Sequence, residues 1–416
     1  MGVGLNFSAF FFLLRILEKP AFGKFAVLWS LSQLAGALSR GGLERQYIRE
    51  TGKSVKGPPA PKEIGLLGEI NTLQLTFWAI VSFGIGAIGL FVYEFAIWEV
   101  AGIALIGLVM GQVPILSSQM RVRDHVFAAQ VVDGLLLQAS MFLVLLVYFF
   151  LERGTLVSER AETLFLVQVL IVLTYAAIGW CYAHRVAKLR FALAYGLRSR
   201  FFSLRLPVVL SFAVVSMINV ALNQTAFLVG GKILSLSELA DYRVAIQFSS
   251  FVLLPLPIIN LVAAPHLASL RLEGGTPAQK RHAFISVLQM SLVISIPIFA
   301  IVTIFAPTLV EFYGGKDYEN AVTLVRILSV GALINALTGP VGLMLLTFDD
   351  ELLYARVGIF WLVVNVALIF LLTSTYGVLG AVTSVATTVA LMNLTLLYFV
   401  MTRHVQLQPS PPRDEA

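Results

Sequence analysis

Twelve long apolar segments, joined by short charged connections, constrain this chain more than any other feature of its sequence. A helix needs about 20 apolar residues to cross the ~30 Å hydrocarbon core of a bilayer, and every segment but the first reaches that length. Backbone groups in lipid must bond to one another, and the alternation of a barrel strand is absent, so each segment is predicted to be a helix. The segments cover residues 3–17, 25–44, 66–93, 98–119, 127–151, 162–183, 205–230, 239–262, 283–306, 321–347, 352–373 and 376–401.

The composition agrees with a chain whose surface faces lipid. Hydrophobic residues make up 58% and charged residues 12% of it, and the mean hydropathy is +0.88. A soluble domain carries roughly 25% charged residues, so this chain cannot cover a globule of its size with polar groups. We therefore predict an all-α polytopic membrane protein of about twelve transmembrane helices.

The net charge of +6 is carried mainly by the connections between segments. Most Lys and Arg fall in alternate connections, those on the side of the N-terminus, and this bias predicts that both termini are cytoplasmic. The excess orients the protein in a bilayer, so no nucleic-acid partner is expected. The run from Phe7 to Leu17 lacks a basic preceding region and a cleavage site, so no cleavable signal peptide is expected.

Two similar stretches divide the chain. RILEKPAFGKF (Arg15–Phe25) is loosely repeated as KILSLSELADY (Lys232–Tyr242), and each lies between the first and second helices of a six-helix half. Halves of equal topology are related by an axis along the membrane normal, with substrate handled between them. We predict an N-terminal lobe of residues 1–190, a basic cytoplasmic linker of 191–204, a C-terminal lobe of 205–403 and a disordered polar tail of 404–416.

The chain resembles the polysaccharide flippases of the multidrug/oligosaccharidyl-lipid/polysaccharide exporter superfamily. The resemblance covers nearly the whole chain and combines the topology with several short signatures. These are RILEKPAFGKFAVL (Arg15–Leu28), SRGGLERQYIRE (Ser39–Glu50), ELADYRVA (Glu238–Ala245), APHLASL (Ala264–Leu270) and the final helix YGVLGAVTSVATTVALMNLTLLYFV (Tyr376–Val400). The chain departs from the family pattern at Gln224, where an acidic residue is frequent in helix seven.

The resemblance implies two six-helix lobes around a central cavity that moves a polyprenyl-diphosphate-linked oligosaccharide repeat unit by alternating access. Such a carrier serves O-antigen or exopolysaccharide assembly in the bacterial cytoplasmic (inner) membrane. Its partners would be membrane lipid, the glycan, and the polysaccharide polymerase and glycosyltransferases of the same process; a monomer without cofactor or metal is expected. A hydrated sugar–diphosphate head needs such a path because unpaired polar groups in hydrocarbon cost several kcal/mol each.

Cationic side chains are the first candidates for substrate contact. Arg326 interrupts an apolar segment and could meet a diphosphate or acidic sugar, since Arg matches phosphate oxygens bidentately; alternatively it snorkels or pairs with Glu319. Arg15 would face the outer mouth of the cavity. Arg40 and Arg45 flank a glycine pair where an incoming diphosphate could bind, or they are anchors of the positive-inside kind.

Polar side chains within the segments are the second group. Asp133 and Glu69 are candidates for proton or sodium coupling, with an ion pair to a neighbouring helix as the alternative. Amide side chains would bond to sugar hydroxyls in the cavity, with interhelical hydrogen bonds as the alternative. The amides are Asn71, Gln74, Gln138 and Gln224.

Three prolines are candidates for gating kinks because proline removes a backbone hydrogen bond and bends a helix. They are Pro255, Pro257 and Pro340, and a static kink is the alternative reading. The single cysteine, Cys181, excludes an internal disulfide and is expected to pack within its span. The five histidines lack metal-ligand spacing, and the acidic run Asp349–Glu351 is expected to be solvated.

Two other functions stay open. One is an ion-coupled multidrug exporter of the same superfamily. The other, of a different class, is a membrane polysaccharide polymerase or lipid-linked glycosyltransferase. The outward connections are short and the first is basic, which disfavours that enzyme, and no nucleotide-binding P-loop is present. We therefore predict a transporter and not an enzyme.

Overall fold

A computed structural model describes residues 2–51, 61–151, 161–187 and 206–405 of the chain. Within these ranges the regular secondary structure is helical throughout and no residue is in a strand, which confirms the all-α class. Eight described helical spans are long and apolar enough to cross a membrane. Two of them, Leu236–Leu272 and Glu351–Val405, contain a break, so the number of crossings is not fixed by that count and twelve stays a prediction.

The chain forms two compact units, Met1–Ala240 and Asp241–Ala416. Predicted boundaries within 191–204, and the tail beyond residue 405, lie outside the described residues, so the division into two six-helix lobes stays a prediction. The helices of the first unit are α1 (Gly2–Ile16), α2 (Lys19–Arg40), α3 (Leu43–Thr51), α4 (Pro61–Phe91), α5 (Ile97–Val122), α6 (Val126–Gln130), α7 (Leu136–Leu151), α8 (Ala161–Ala187) and α9 (Leu206–Gly230). Helix α10 (Leu236–Leu253) crosses from this unit into the second.

Helix α2 is the centre of the first unit and packs against α4, α5, α8 and α9. Its closest neighbour is α5, where Gly107 and Gly111 are one turn apart and face α2. A Cβ at Gly111 would lie 2.3 Å from Ser39 Oγ, and one at Gly107 would lie 2.8 Å from the Cβ of Ala35. The Ser39 hydroxyl also donates to the carbonyl of Gly107 at 3.1 Å. Small residues at this spacing let two membrane helices approach closely, and here they fix α2 against α5.

A buried ion pair fastens α3, α4 and the end of α5 at the end predicted to be cytoplasmic. Arg123 Nη2 lies 2.5 Å from Glu63 Oε1, and both side chains are about 95% buried. Tyr47 of α3, fully buried, donates its hydroxyl proton to the same carboxylate. Burial and the neighbouring carboxylate raise the pKa of Tyr47, so the phenol stays a hydrogen-bond donor.

At the opposite end of the unit, the two similar stretches, Arg15–Phe25 and Lys232–Tyr242, contact each other. Gly23 of the first stretch packs against the backbone of Leu236 of the second, where a Cβ would lie 1.8 Å from the Leu236 carbonyl oxygen. Lys24 Nζ pairs with Glu99 Oε1 at 2.8 Å and with Glu162 Oε1 at 2.7 Å, and so links α2, α5 and α8. These contacts hold together the ends of α2, α5 and α8 that are predicted to face outward.

The second unit contains α11 (Pro255–Leu272), α12 (Pro277–Ile304), α13 (Ala306–Gly314), α14 (Ala321–Thr338), α15 (Val341–Thr347) and α16 (Glu351–Val400). Helix α16 holds both of the last two predicted segments, because Gly377 has a non-helical backbone (φ 58°) and the chain folds back there. Gly380 then packs directly on the backbone of Leu372, where a Cβ would have no room.

Two sequence expectations are corrected. Asp349 is solvated as expected, with a pair to Arg271 at 2.6 Å, but Asp350 is only 19% exposed, pairs with Arg403 at 2.7 Å and contacts His404. Residues distant in sequence supply these partners. Cys181 is exposed on α8 and does not pack inside the protein, because apolar side chains in a membrane span can equally face lipid.

Candidate functional site

A cavity of about 550 Å³, lined by both polar and apolar side chains, lies within the first unit. Its walls come from α2, α5, α7, α8, α9 and the π-helical turn Val131–Leu135 before α7. A cavity of several hundred Å³ with a few convergent polar groups is the usual form of a ligand site. The lining residues are Gln33, Gly36, Ala37, Arg40, Met110, Val113, Pro114, Asp133, Leu137, Gln138, Tyr175, Val220 and Gln224. Four candidates named from the sequence, Arg40, Asp133, Gln138 and Gln224, thus lie around one space.

Amide side chains form the polar part of the cavity away from Arg40. Gln224 Nε2 of α9 donates to Gln33 Oε1 of α2 at 2.9 Å, so these two amides join α9 to α2 in the wall of the cavity. Gln138 extends from α7 into the same space. An amide both donates and accepts hydrogen bonds, as a hydroxyl does, and carries no charge. This part of the wall is therefore suited to hydroxyl-bearing ligands.

Asp133 reaches the cavity from the π-helical turn. Arg121 Nη2 lies 2.5 Å from Asp133 Oδ2, which neutralises the carboxylate by an ion pair. The turn is held from α8, where the buried Tyr175 donates its hydroxyl proton to the carbonyl of Val132. Single π-helical turns leave the regular hydrogen-bond ladder and are frequent at functional sites. The ion pair is one alternative that the sequence left open for Asp133; a coupling role is untested by this geometry.

Arg40 marks the other end of the cavity, where α2 stops. The chain turns through Gly41 and Gly42, which have φ values of 54° and 69°, and α3 starts directly afterwards. These left-handed conformations explain the glycine pair, because only glycine adopts them without steric cost. Arg40 Nε lies 3.8 Å from Glu44 Oε1, a loose pair. Arg45 lies beside it with about half of its side chain exposed.

The other candidates in the first unit do not line this cavity. Glu69, Asn71 and Gln74 of α4 are buried. Gln74 Oε1 accepts a hydrogen bond from Gln112 Nε2 of α5 at 2.5 Å, the interhelical role that the sequence left open. Arg15 is exposed at the end of α1, with its guanidinium 5.3 Å from the centre of the Phe11 ring.

In the second unit, Arg326 is exposed on α14 and its Nε donates to the carbonyl of Thr303 at 3.3 Å. Pro255 starts α11 immediately after α10 ends, and Pro257 follows in its first turn. Pro340 lies in the break between α14 and α15, next to Gly339 with φ 70°. Helix interruptions thus occur at the predicted prolines, whereas motion at them stays a prediction.

Sequence reasoning missed three side chains that build the site. Gln33 and Tyr175 lie in apolar segments and were not singled out, and Arg121 was considered only among the charges that predict orientation. A signal existed for the first: Gln33 lies seven residues before Arg40, and residues at that spacing share a helix face. The pairing of Arg121 with Asp133 depends on a turn between them and has no sequence signature.

Solved membrane-transporter structures share this fold. The inward-closed lipid II flippase MurJ superposes with a TM-score of 0.67 at 11% identity, covering 96% of this chain and 85% of that chain. An inward-facing multidrug resistance MATE family transporter of the MOP superfamily gives a TM-score of 0.64 at 14% identity, covering 96% and 94%. At such identities the likeness shows the fold alone, and that fold is the one these transporters share.

The family follows from the sequence itself. A family described as "Polysaccharide biosynthesis protein" matches residues 12–323, and the chain belongs to that family. Among curated protein sequences none is significantly similar to this chain. The resemblance noted from the short signatures is thereby confirmed at the level of family and fold.

Proposed function

We propose that this protein moves a polyprenyl-diphosphate-linked oligosaccharide repeat unit across the bacterial cytoplasmic membrane by alternating access, for surface polysaccharide assembly. The observation that carries the proposal is the set of charged and amide side chains that face one cavity inside a bundle of apolar helices. Polar groups facing a cavity at membrane depth are costly and mark a substrate path. The family adds the biosynthetic context, and the lipid II flippase shows that this fold can serve a lipid-linked substrate.

Arg40 and Arg45 are the proposed first contacts of the diphosphate. Both lie at the α2–α3 corner, and a guanidinium can bind phosphate oxygens with two parallel hydrogen bonds. The amides Gln33, Gln138 and Gln224 would then bond to sugar hydroxyls deeper in the cavity. The lipid tail would remain in the bilayer, so only the head group needs this polar path.

The Arg121–Asp133 ion pair is the proposed coupling element. Protonation of Asp133, or a cation bound to it, would break this ion pair and so couple the state of the carboxylate to the contact between α5 and the π-helical turn. Asp133→Asn should abolish dependence of transport on a proton or sodium gradient while the protein still folds. Asp317→Asn, an exposed carboxylate outside the cavity, is the control; gradient dependence that survives in Asp133→Asn refutes this role.

Deletion of the gene followed by lipid analysis tests the function. Accumulation of undecaprenyl-diphosphate oligosaccharide on the cytoplasmic leaflet, restored to normal by the intact chain, is the expected result. If the lipid-linked oligosaccharide appears normally on the outer leaflet while only polymerisation stops, the polymerase reading replaces the flippase. Both termini should be cytoplasmic in the same cells, which a protease-accessibility assay on tagged ends would show.

Multidrug export is the second candidate, favoured by the structural likeness to a multidrug resistance transporter. In that case the cavity would hold an organic cation against Asp133 rather than a glycan. Deletion would then lower resistance to cationic drugs and leave the lipid-linked oligosaccharides unchanged.

A further inference from the structure

The charges of the cavity are distributed unevenly along α2. Among the lining residues that the structure describes, Arg40 is the only cation and Asp133 is the only anion. Gln33 lies seven residues before Arg40 in the same helix, which places the amide end of the wall about 10 Å from the cation at 1.5 Å per residue. The cavity is thus divided into a cationic end and an uncharged, amide-lined end.

Among the described residues that line the amide end, Gln33 and Gln224 carry no charge that would balance a negative one. Gln33 and Gln224 bond to each other there, and Gln138 of α7 lines the same cavity. The nearest charged group on that helical segment is Asp133, whose partner Arg121 is already 2.5 Å from its carboxylate. A carboxylate drawn out of water without a counter-ion is strongly disfavoured, whereas a hydroxyl needs only a donor or an acceptor, which every amide provides.

We infer that the sugar held at the amide end is uncharged, and that Gln33, Gln138 and Gln224 select neutral sugars against uronic acids and other acidic sugars. The inference rests on the proposed function and narrows its substrate class. The diphosphate supplies the only negative charge that this cavity accommodates, at its Arg40 end.

Two matched probes test this selectivity. Undecaprenyl-diphosphate disaccharides that differ only in a terminal glucose or glucuronic acid are placed in proteoliposomes with the full-length chain. The rate at which each probe becomes accessible to membrane-impermeant periodate is measured at pH 7. We expect the glucose probe to move at least about tenfold faster, since each tenfold in rate needs only ~1.4 kcal/mol of discrimination.

Adding a cation at the amide end should reverse the preference. Gln138→Lys and, separately, Gln224→Lys should raise the rate of the glucuronic acid probe relative to the glucose probe by about tenfold. Gln130→Lys adds the same charge on the exposed surface of α6, outside the cavity, and should keep the wild-type ratio. Gel filtration of each variant checks that it is folded. The comparison of the two probes with the wild-type protein does not depend on these variants.

The outcomes distinguish a failure of the neutral-sugar inference from a failure of the proposed flippase function. Equal rates for the two probes, or faster movement of the acidic one, overturn the neutral-sugar inference and leave the flippase proposal in place. Movement of neither probe by the folded wild-type chain overturns the flippase proposal, and the inference falls with it.

Discussion

The buried Arg123–Glu63 pair gives a sharp test of how the first unit is held together. Its two charged atoms are 2.5 Å apart, so their direct attraction is about 6–7 kcal/mol at an effective dielectric constant of 20. Most of that attraction only offsets the cost of removing both groups from water. Loss of one partner leaves the other buried and uncompensated, which costs about 3–5 kcal/mol.

We therefore expect Glu63→Leu and Arg123→Leu each to destabilise the protein by about 3–5 kcal/mol, and the double variant to lose much less than the sum. A domain of 150–250 residues loses about 2–4 °C of melting temperature per kcal/mol, and the first unit spans residues 1–240. The single variants should thus melt roughly 6–20 °C lower, as followed by aggregation-detected melting in detergent micelles.

The control is an exposed pair of similar length. Arg271 and Asp349 are 2.6 Å apart but about half exposed, so Arg271→Leu should cost no more than about 1 kcal/mol. Additive effects of the two buried substitutions, or single effects as small as that of Arg271→Leu, would refute the reasoning. Either result would mean that α3, α4 and α5 are held by apolar packing alone.

Three further predictions follow from other contacts of the first unit. Gly111→Val should lose about 1–3 kcal/mol through overpacking against α2, whereas Gly84→Val, with no atom within 4 Å of its Cβ position, should melt close to wild type. Tyr175→Phe removes the bond to the π-helical turn and should cost about 1 kcal/mol, while the same change at the exposed Tyr376 should cost nothing measurable in the same assay. The pKa of Tyr47 is raised in the folded chain. The contribution of its protonated hydroxyl to the free energy of unfolding is therefore complete below pH ~10, the unfolded value, and is lost as the pH rises above it. Tyr47→Phe should reduce the alkaline loss of stability in melting temperatures measured over a pH series.

Hydropathy predicted the helices well because burial in lipid acts on every residue of a span. Predicted segment 66–93 starts five residues after the start of α4, Pro61–Phe91, and ends two residues beyond its end. The ends of α2 and α14 were less accurate. Segment 25–44 ran through the Gly41–Gly42 corner, and segment 321–347 through the break at Gly339, since a glycine in an apolar run does not reveal whether its φ is positive.

The site was only partly predictable. Polar residues within apolar segments are easily recognised in a sequence, and this predicted Asp133, Gln138 and Gln224 as candidate site residues. Whether such a residue faces a cavity or a neighbouring helix depends on rotation about the helix axis, which hydropathy does not report. Gln74 faces Gln112 and Gln33 faces the cavity, and hydropathy alone does not distinguish these two orientations.

The π-helical turn at Val131–Leu135 gives the length of this segment a meaning of its own. A π-helical turn holds one more residue than an α-helical one, and each residue of an α-helix turns the chain by about 100°. The extra residue is thus taken up within this turn, and α7 beyond it keeps the face that it presents to the cavity. Removing a single residue there would restore regular α-helix, leave Gln138 facing the cavity and alter only the turn that carries Asp133. Among relatives of this chain, a one-residue gap in this segment would therefore mark the loss of the turn that presents Asp133, with the rest of the cavity lining unchanged.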